Sequence, residues 1–325
     1  MRVMILTAGL GTRLRPHTFS KPKPLVNVAG KPVLAHIIDD LLELTIDELI
    51  CVTGYLGHQI ETFVRDQYGQ LQLRFLVQHE MRGQADAVYL AQDVSGPLLV
   101  VFGDGLVAID KQQLVEQPNE GVIYCKEVDD PRRFGVAVVE DGRITRLVEK
   151  PTDAVSNLAV VGFYYVPEAR RLMDAIATIM ERGIQLKGEY YLADALQVMI
   201  ERGEFFRAEV VSMWRDCGTI EALFDTNRYL LDHGHSRPFV TDNSVIIPPV
   251  NIAPDVIVER SVIGPHVSIA TGALVRNAIV KDSIVNTGAR IQSVIMTKSL
   301  IGDKAYVDGN SHELNVGDES DIRIG

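Results

Sequence analysis

Through residue 238 the sequence alternates short β-rich apolar runs with amphipathic helical stretches, and then stops doing so. VMILTAG (3–9) is an apolar run ending in glycine. PVLAHIIDDLLEL (32–44) follows, with Leu34, Ile37, Ile38, Leu41 and Leu42 at helical spacing. Apolar runs at 48–55, 71–78 and 97–104 then alternate with helical stretches at 57–69 and 84–94. Strand and helix in turn predict βαβ units and a mostly parallel sheet, an α/β fold of Rossmann-like type. Uninterrupted runs such as LLVVF predict central strands buried on both faces. Between 121 and 166 the β-rich segments GVIYCKEV, GVAVVED, RITRLVEK and AVVGFYYV lack long helices between them, which predicts an antiparallel insert in a mixed sheet. Helices are expected again at 167–182, 189–202 and from Ile220 to about Leu231.

From about 240 an apolar–small–x–x–small pattern replaces helical periodicity: IAPDV (252–256), IGPHV (263–267), IATGA (269–273), VNTGA (285–289) and IGDKA (301–305). Aliphatic residues about six positions apart, with small residues turning the corners, predict stacked coils. The expectation is a small left-handed parallel β-helix of four coils. The chain of 325 residues thus divides into a first domain, 1–238, and a second, 239–325, in line with ~150 residues per domain.

Acidic residues outnumber Lys plus Arg by 43 to 32, a formal charge of −11. That balance argues against a nucleic-acid groove or a polybasic membrane surface, both of which need excess positive charge. No apolar run approaches the ~18 to 20 residues of a membrane helix. Cys51, Cys125 and Cys217 are scattered, supporting neither a disulfide framework nor a zinc site. The apolar stretch at the N-terminus is too short for a signal peptide and leads into a glycine-rich basic segment. A soluble, cytoplasmic protein is expected.

The first run leads into Gly9-Leu10-Gly11-Thr12-Arg13-Leu14-Arg15-Pro16. A glycine-rich loop after the first strand lets backbone N–H groups approach a phosphate. It is not a dinucleotide fingerprint, because Leu14 stands where a third glycine is needed, and no Gly-Lys-Ser/Thr closes it as a P-loop. Arg13, with Lys21 and Lys23 in SKPKPL, supplies cations suited to a nucleoside triphosphate and its departing pyrophosphate.

AGLGTRLRPHT followed by KPKPLVNVAGKPVL resembles the N-terminal signature of the sugar-1-phosphate nucleotidylyltransferases. The likeness is nearest to glucose-1-phosphate thymidylyltransferases of the long form, which carry a C-terminal β-helix. It continues in the family's order through Gln78 with Gly83-x-Ala85, GDG (103–105), FGV (134–136), EKP (149–151), VVGFYYV (160–166), KGEYYLAD (187–194) and WRDCGT (214–219). The implied reaction is in-line attack of a sugar 1-phosphate oxygen on the α-phosphorus of a nucleoside triphosphate, with pyrophosphate leaving. The nucleophile is an ionised phosphate (second pKa ~6), so no general base is needed and the catalytic problem is charge.

The resemblance implies a role for each matching residue. Arg13 binds the triphosphate and stabilises the leaving pyrophosphate, and Lys23 contacts the α-phosphate. Ala8, Gly9, Gly11 and Thr12 form the nucleotide loop, and Gln78 and Gly83 read the base. Gly135, Glu149, Lys150 and Gly162 hold the sugar phosphate, with Lys187 and Glu189 closing the site. Asp104 and Asp216 hold Mg2+, which usually takes one or two carboxylates beside phosphate oxygens. The sequence departs from the family at Gly105, where an Asn is common, and at Gln84, where a Thr is common. His17 has no evident partner, His266 is expected at a solvent-facing coil corner, and Trp214 is expected to support Asp216.

The best match in motifs and tail is dTTP with glucose 1-phosphate. UTP with glucose or N-acetylglucosamine phosphate, and GTP with mannose 1-phosphate, remain open. Two other classes are a catalytically dead sensor of sugar phosphates and a bifunctional enzyme whose β-helix transfers acyl groups. The former should lack Arg13, Lys23, Asp104 or Asp216, and all four are present. An open β-helix end exposes strand edges that need covering, so a homo-oligomer, tetramer or trimer, is expected.

Overall fold

The computed structural model describes residues 1–116, 119–153, 155–309 and 314–324. By its internal contacts the chain forms two compact units, Met1–Gly9 with Ile37–Trp214, and Leu10–His36 with Arg215–Gly325. The change of periodicity near 240 separates helices from coils, whereas contacts also group Leu10–His36 and the segment after Trp214 with the coils.

The first unit is built on a nine-stranded mixed sheet. Strands β1 (Arg2–Leu6), β2 (Glu48–Thr53), β3 (Leu73–Val77) and β4 (Leu98–Phe102) run parallel in the order β3-β2-β1-β4. The winding direction reverses beside β1, and ligands of such sheets bind at the carboxyl ends of strands at this switch. The segment without helices supplies β5 (Gly121–Glu127), β6 (Gly135–Glu140), β7 (Arg143–Glu149) and β8 (Leu158–Val166), joined later by β9 (Phe206–Val210). As the sequence predicts, β8 is antiparallel to β4, β5 and β6, and β7 is antiparallel to β6. Strand β9 returns parallel to β5.

Six helices that belong to this unit or lead into it are α1 (Val33–Leu41), α2 (Gly57–Tyr68), α3 (Gln84–Tyr89), α4 (Lys111–Glu116), α5 (Ala169–Glu181) and α6 (Leu192–Glu201). Helix α3 stops short of the predicted 84–94. Its continuation tightens into i→i+3 bonds, Ala91 to Val88, Gln92 to Tyr89 and Val94 to Ala91, a common way for a helix end to satisfy its last groups. Met4, Val100, Ile123, Leu172 and Leu196 lie in one buried core between sheet and helices. The three cysteines are buried and in no disulfide. No helix among the described residues is long and apolar enough to cross a membrane.

The second unit contains α7 (Ile220–Leu230) and a left-handed parallel β-helix whose strands stack in three parallel sheets. Successive strands of the second sheet are Val250–Ile252, Val267–Ile269, Ile284–Val285, Leu300–Ile301 and Asn315–Val316. This sheet and the third each have five strands, so the chain starts a fifth coil where four are predicted; residues 310–313 and 325 lie outside the described part. The miscount has a simple origin. IAPDV, IATGA, VNTGA and IGDKA all turn one corner in successive coils, while IGPHV turns a different one. The fifth coil is entered at Val316–Ser320, whose VGDES also fits the pattern and stands outside the five matches on which the four-coil expectation rests.

Candidate active site

In the first unit the relevant residues follow the carboxyl ends of the parallel strands. Ala8 and Gly9 follow β1, Gln78 follows β3 and Asp104 follows β4. Glycine is required where these ends crowd together. A Cβ at Gly103 would fall 2.7 Å from Thr7 Cγ2, and one at Gly54 would fall 2.8 Å from the Ala8 carbonyl oxygen.

Gln78 is buried, and its Nε2 donates to the Gly83 carbonyl at 3.0 Å and to Asp86 Oδ2 at 2.9 Å. Both partners are acceptors, so the amide has one orientation and presents Oε1 on its other side. Asp86 is itself held by Arg82 Nη2 at 2.7 Å. Gly83 has φ +99°, and a Cβ there would fall 2.8 Å from the Tyr190 backbone nitrogen. The 82–85 loop also pairs with Tyr190 through Tyr190 N–H to Arg82 O and Ala85 N–H to Tyr190 O. GQA and KGEYYLAD, far apart in sequence, are therefore one piece of structure.

The predicted sugar-phosphate residues gather partly. Glu149 Oε2 lies 2.9 Å from where a Cβ of Gly135 would be, so only glycine leaves the carboxylate its place. Lys150, at φ +43°, donates to the Tyr191 hydroxyl at 3.1 Å and stands 3.4 Å from Glu149 Oε1. Burial raises the Glu149 pKa, against the opposing pull of Lys150. Burial acts to lower the Lys150 pKa, but Tyr191 and Glu149 raise it overall. Gly162, at φ +81°, packs against Phe102, whose Cδ2 would be 2.6 Å from an added Cβ. Lys187 and Glu189 lie on a turn closed by mutual backbone bonds between Leu186 and Glu189, with Lys187 exposed. Trp214 packs edge-on against Phe134, ring centroids 5.0 Å apart, where support of Asp216 is predicted.

The second unit holds the other half of the predicted set. Gly11, at φ +63°, enters the short turn Thr12–Leu14 that carries Arg13. A Cβ at Gly11 would fall 2.9 Å from Lys23 Cβ, and Thr18 Oγ1 donates to the Gly11 carbonyl at 2.7 Å. A Cβ at Gly218 would fall 2.7 Å from Arg13 Nη2 and 2.8 Å from Asp216 Oδ1. Arg13 and Asp216, some 200 positions apart in the numbering, thus converge on one glycine. Lys21 is paired with Asp303 Oδ2 at 2.6 Å. His17 is buried and bonded to Asn315. His266 bonds Asp232 at 2.9 Å from a coil corner.

The donor set fits magnesium in kind. Asp104 and Asp216 are each a carboxylate, the kind of donor of which Mg2+ usually takes one or two, the rest of its octahedron being phosphate oxygens and water. Among the described residues no group of three or more His, Cys, Asp or Glu is placed to hold a metal ion by itself.

The sequence pattern of the family described as "Nucleotidyl transferase" matches residues 2–233. The chain belongs to that family. Among relatives, this nucleotidyl transferase is 33% identical over 266 residues to the low-salt glycan biosynthesis nucleotidyltransferase Agl11 of Haloferax volcanii, covering 78% of this chain and 73% of that one. It is 30% identical over 359 residues to a glucose-1-phosphate thymidylyltransferase of Streptomyces griseus, covering 100% and 99%. A crystal structure of a protein assigned as a glucose-1-phosphate thymidylyltransferase of Bacillus anthracis, in complex with sucrose, superposes with TM-score 0.61 at 26% identity, covering 74% and 98%. The resemblance read from the motifs is borne out at the level of the sugar-1-phosphate nucleotidylyltransferases, and so is the expectation of an enzyme. Sequence reasoning passed over Asp86, Tyr191 and Gly218. Each sits inside or beside a quoted motif; Tyr191 and Gly218 meet partners far along the chain, Lys150 and Arg13, and Asp86 meets Gln78 and Arg82 nearby.

Proposed function

We propose that this nucleotidyl transferase joins dTTP to glucose 1-phosphate, giving dTDP-glucose and pyrophosphate. The carrying observation is the approach of Arg13 and Asp216 to Gly218 beside the Gly11–Lys23 contact. A guanidinium and a lysine rooted against the glycine turn suit a triphosphate, and a carboxylate beside the guanidinium suits its metal. The thymidylyl assignment is supported by the end-to-end match, tail included, to the Streptomyces griseus enzyme. It is also supported by Gln78 Oε1, an acceptor facing away from Gly83 and Asp86, which complements the N3–H donor of thymine. Uracil carries the same donor, and UTP is the second reading.

In this reading residues 1–238 are the catalytic domain and 239–325 the β-helix domain. Arg13 and Lys23 bind the phosphates and take up the charge that develops on the α-phosphate and leaving pyrophosphate. The loop Ala8, Gly9, Gly11 and Thr12 admits the nucleotide, and Gln78 with Gly83 selects its base. Glu149 accepts bonds from sugar hydroxyls, and Lys150 holds the 1-phosphate between Gly135 and Gly162. Lys187 and Glu189 close over the sugar. Asp104 and Asp216 would hold Mg2+, which supplies charge neutralisation on the phosphate oxygens. The enzyme works in the cytoplasm as a homo-oligomer covering the open ends of its β-helices.

The test is pyrophosphate release with magnesium, using dTTP and the four common NTPs against glucose, N-acetylglucosamine, galactose and mannose 1-phosphates. A preference for dTTP with glucose 1-phosphate, lost in Asp104→Ala, supports the assignment and its metal carboxylate. A preference for UTP or GTP replaces the substrate pair. No turnover with any pair refutes the function.

A further inference from the structure

The β-helix is more than a tail attached after the catalytic residues. In its second sheet Ile252, Ile269, Val285, Ile301 and Val316 belong to the β-helix core. Strand alternation therefore turns the neighbouring column, Asn251, Ser268, Ile284, Leu300 and Asn315, outward. An outward column on a solvated sheet would be wet and polar. Here Ile284 and Leu300 are 1% and 0% exposed, and Asn251 and Ser268 are buried as well.

The signature segment meets this side of the β-helix coil by coil. Gly30 lies so close to Asn251 in the first coil that no Cβ fits between them. At the second, Ser268 Oγ donates to Asn227 Oδ1 at 2.6 Å, and the same oxygen receives the Ala29 N–H at 2.9 Å. At the third, Asn27 Nδ2 donates to Asn286 Oδ1 at 3.2 Å. Lys21 pairs with Asp303 at the fourth. At the fifth, His17 bonds Asn315, Ser20 bonds Asp318, and Pro16 packs on Gly317. Read backwards from 30 to 16, the segment climbs the β-helix from its first coil to its last.

The segment so held carries the phosphate-binding cations. Lys21 is two residues from Lys23, whose Cβ abuts Gly11, and Thr18 grips the Gly11 carbonyl. Gly11 opens the turn bearing Arg13. A displacement at Asp303 therefore reaches both cations through bonded or touching groups. We propose that this outward face of the β-helix is a positioning surface for the reaction, with Asp303, acting through Lys21, a positioning residue for Arg13 and Lys23. The proposal rests on the function given above and assigns the β-helix a part in it.

The test compares wild type with Lys21→Ala, Asp303→Ala, Lys21→Asp, Asp303→Lys and the swapped double variant Lys21→Asp/Asp303→Lys. Initial rates are measured with dTTP and glucose 1-phosphate varied separately, alongside Tm and hydrogen exchange of the intact proteins. Positioning predicts about a tenfold rise in KM for the triphosphate in each alanine variant, with less than a twofold change for the sugar phosphate. Exchange should rise within residues 10–25, and the swapped pair should return to within about threefold of wild type where its single members do not. Wild-type kinetics in Asp303→Ala overturn the proposal. So do losses shared equally by both substrates, or losses the swap fails to rescue. A wild-type protein with no turnover on any pair fails differently: it removes the proposed function itself, and variants and parent are then alike.

Discussion

Gln78 Nε2 stands 2.9 Å from Asp86 Oδ2, and that contact leaves the Oε1 end of the amide as the one turned outward, toward the base in the proposed reading. Thymine and uracil offer an N3–H to the outward Oε1, whereas cytosine presents a bare N3 acceptor against it. Asp86→Ala removes one of the two acceptors that hold the amide. The dTTP-to-dCTP ratio of kcat/KM is expected to fall by about tenfold, the scale of one hydrogen bond. An unchanged ratio, measured with both nucleotides at saturating sugar phosphate, would show that Gln78 does not read the base.

Gly218→Ala separates function from folding. The added Cβ would meet Arg13 Nη2 at 2.7 Å and Asp216 Oδ1 at 2.8 Å, the ends of two flexible side chains. Such ends move aside cheaply, and this glycine has no left-handed backbone to lose. The expected result is a kcat lower by about a hundredfold, since misplacing a catalytic group by ~1 Å costs that much. Tm should stay within a few degrees of wild type. Full activity would mean that the approach of Arg13 and Asp216 at Gly218 does not serve the reaction.

Tyr191→Phe removes the hydroxyl that receives Lys150 at 3.1 Å while keeping the ring beneath its ammonium. One lost bond to a charged group predicts a KM for sugar 1-phosphate higher by roughly five- to tenfold, with the triphosphate KM unchanged. Steady-state kinetics with each substrate varied in turn decides this. A change in the triphosphate KM instead would move Lys150 to the other half of the site.

Acid should loosen the second unit before it reaches ordinary carboxylates. Burial lowers the pKa of His17, outweighing Asn315, Asp318 and Asp303, which raise it; Lys21 also lowers it. Burial likewise lowers that of His235, helped by Lys31 and Arg237. Both are depressed below the unfolded value of about 6.5, so the unfolded chain takes up protons that the folded chain refuses. Their contribution is complete above that pH and is lost as pH falls below it. Tm should drop between pH 7 and pH 5.5 by roughly 3 °C or more, and less in His17→Gln. A flat Tm across that range would contradict the burial of both rings.

The sheet and its antiparallel insert were legible because their information is local. Apolar runs such as LLVVF and helical spacing such as Leu34–Ile38–Leu41 are set by the period of each element. The β-helix was legible from small residues at its corners, although one of five matches belonged to another corner and a coil was lost. Within the site, the cations and carboxylates could be proposed from motifs, but not their partners. Nothing near KPKPL distinguishes Lys21, held by a coil nearly 300 positions away, from Lys23 against Gly11. Tyr191 was invisible for the same reason, its partner Lys150 lying 41 positions away, whereas Asp86 binds Gln78 and Arg82 within eight positions and was passed over because no motif marks it.

The climb of residues 30 to 16 along the coils has a consequence for how such chains can diversify. Neighbouring strands of a sheet are ~4.8 Å apart, so each coil advances the face by one fixed step, and the segment meets it at every step. Removing a coil would leave His17 and Ser20 opposite nothing, and adding one would leave a new rung without a counterpart. Loop length and coil number are thus matched like the teeth of a key and its lock. A recombined chain that borrowed its tail from a relative would have to borrow the stretch after the glycine loop as well.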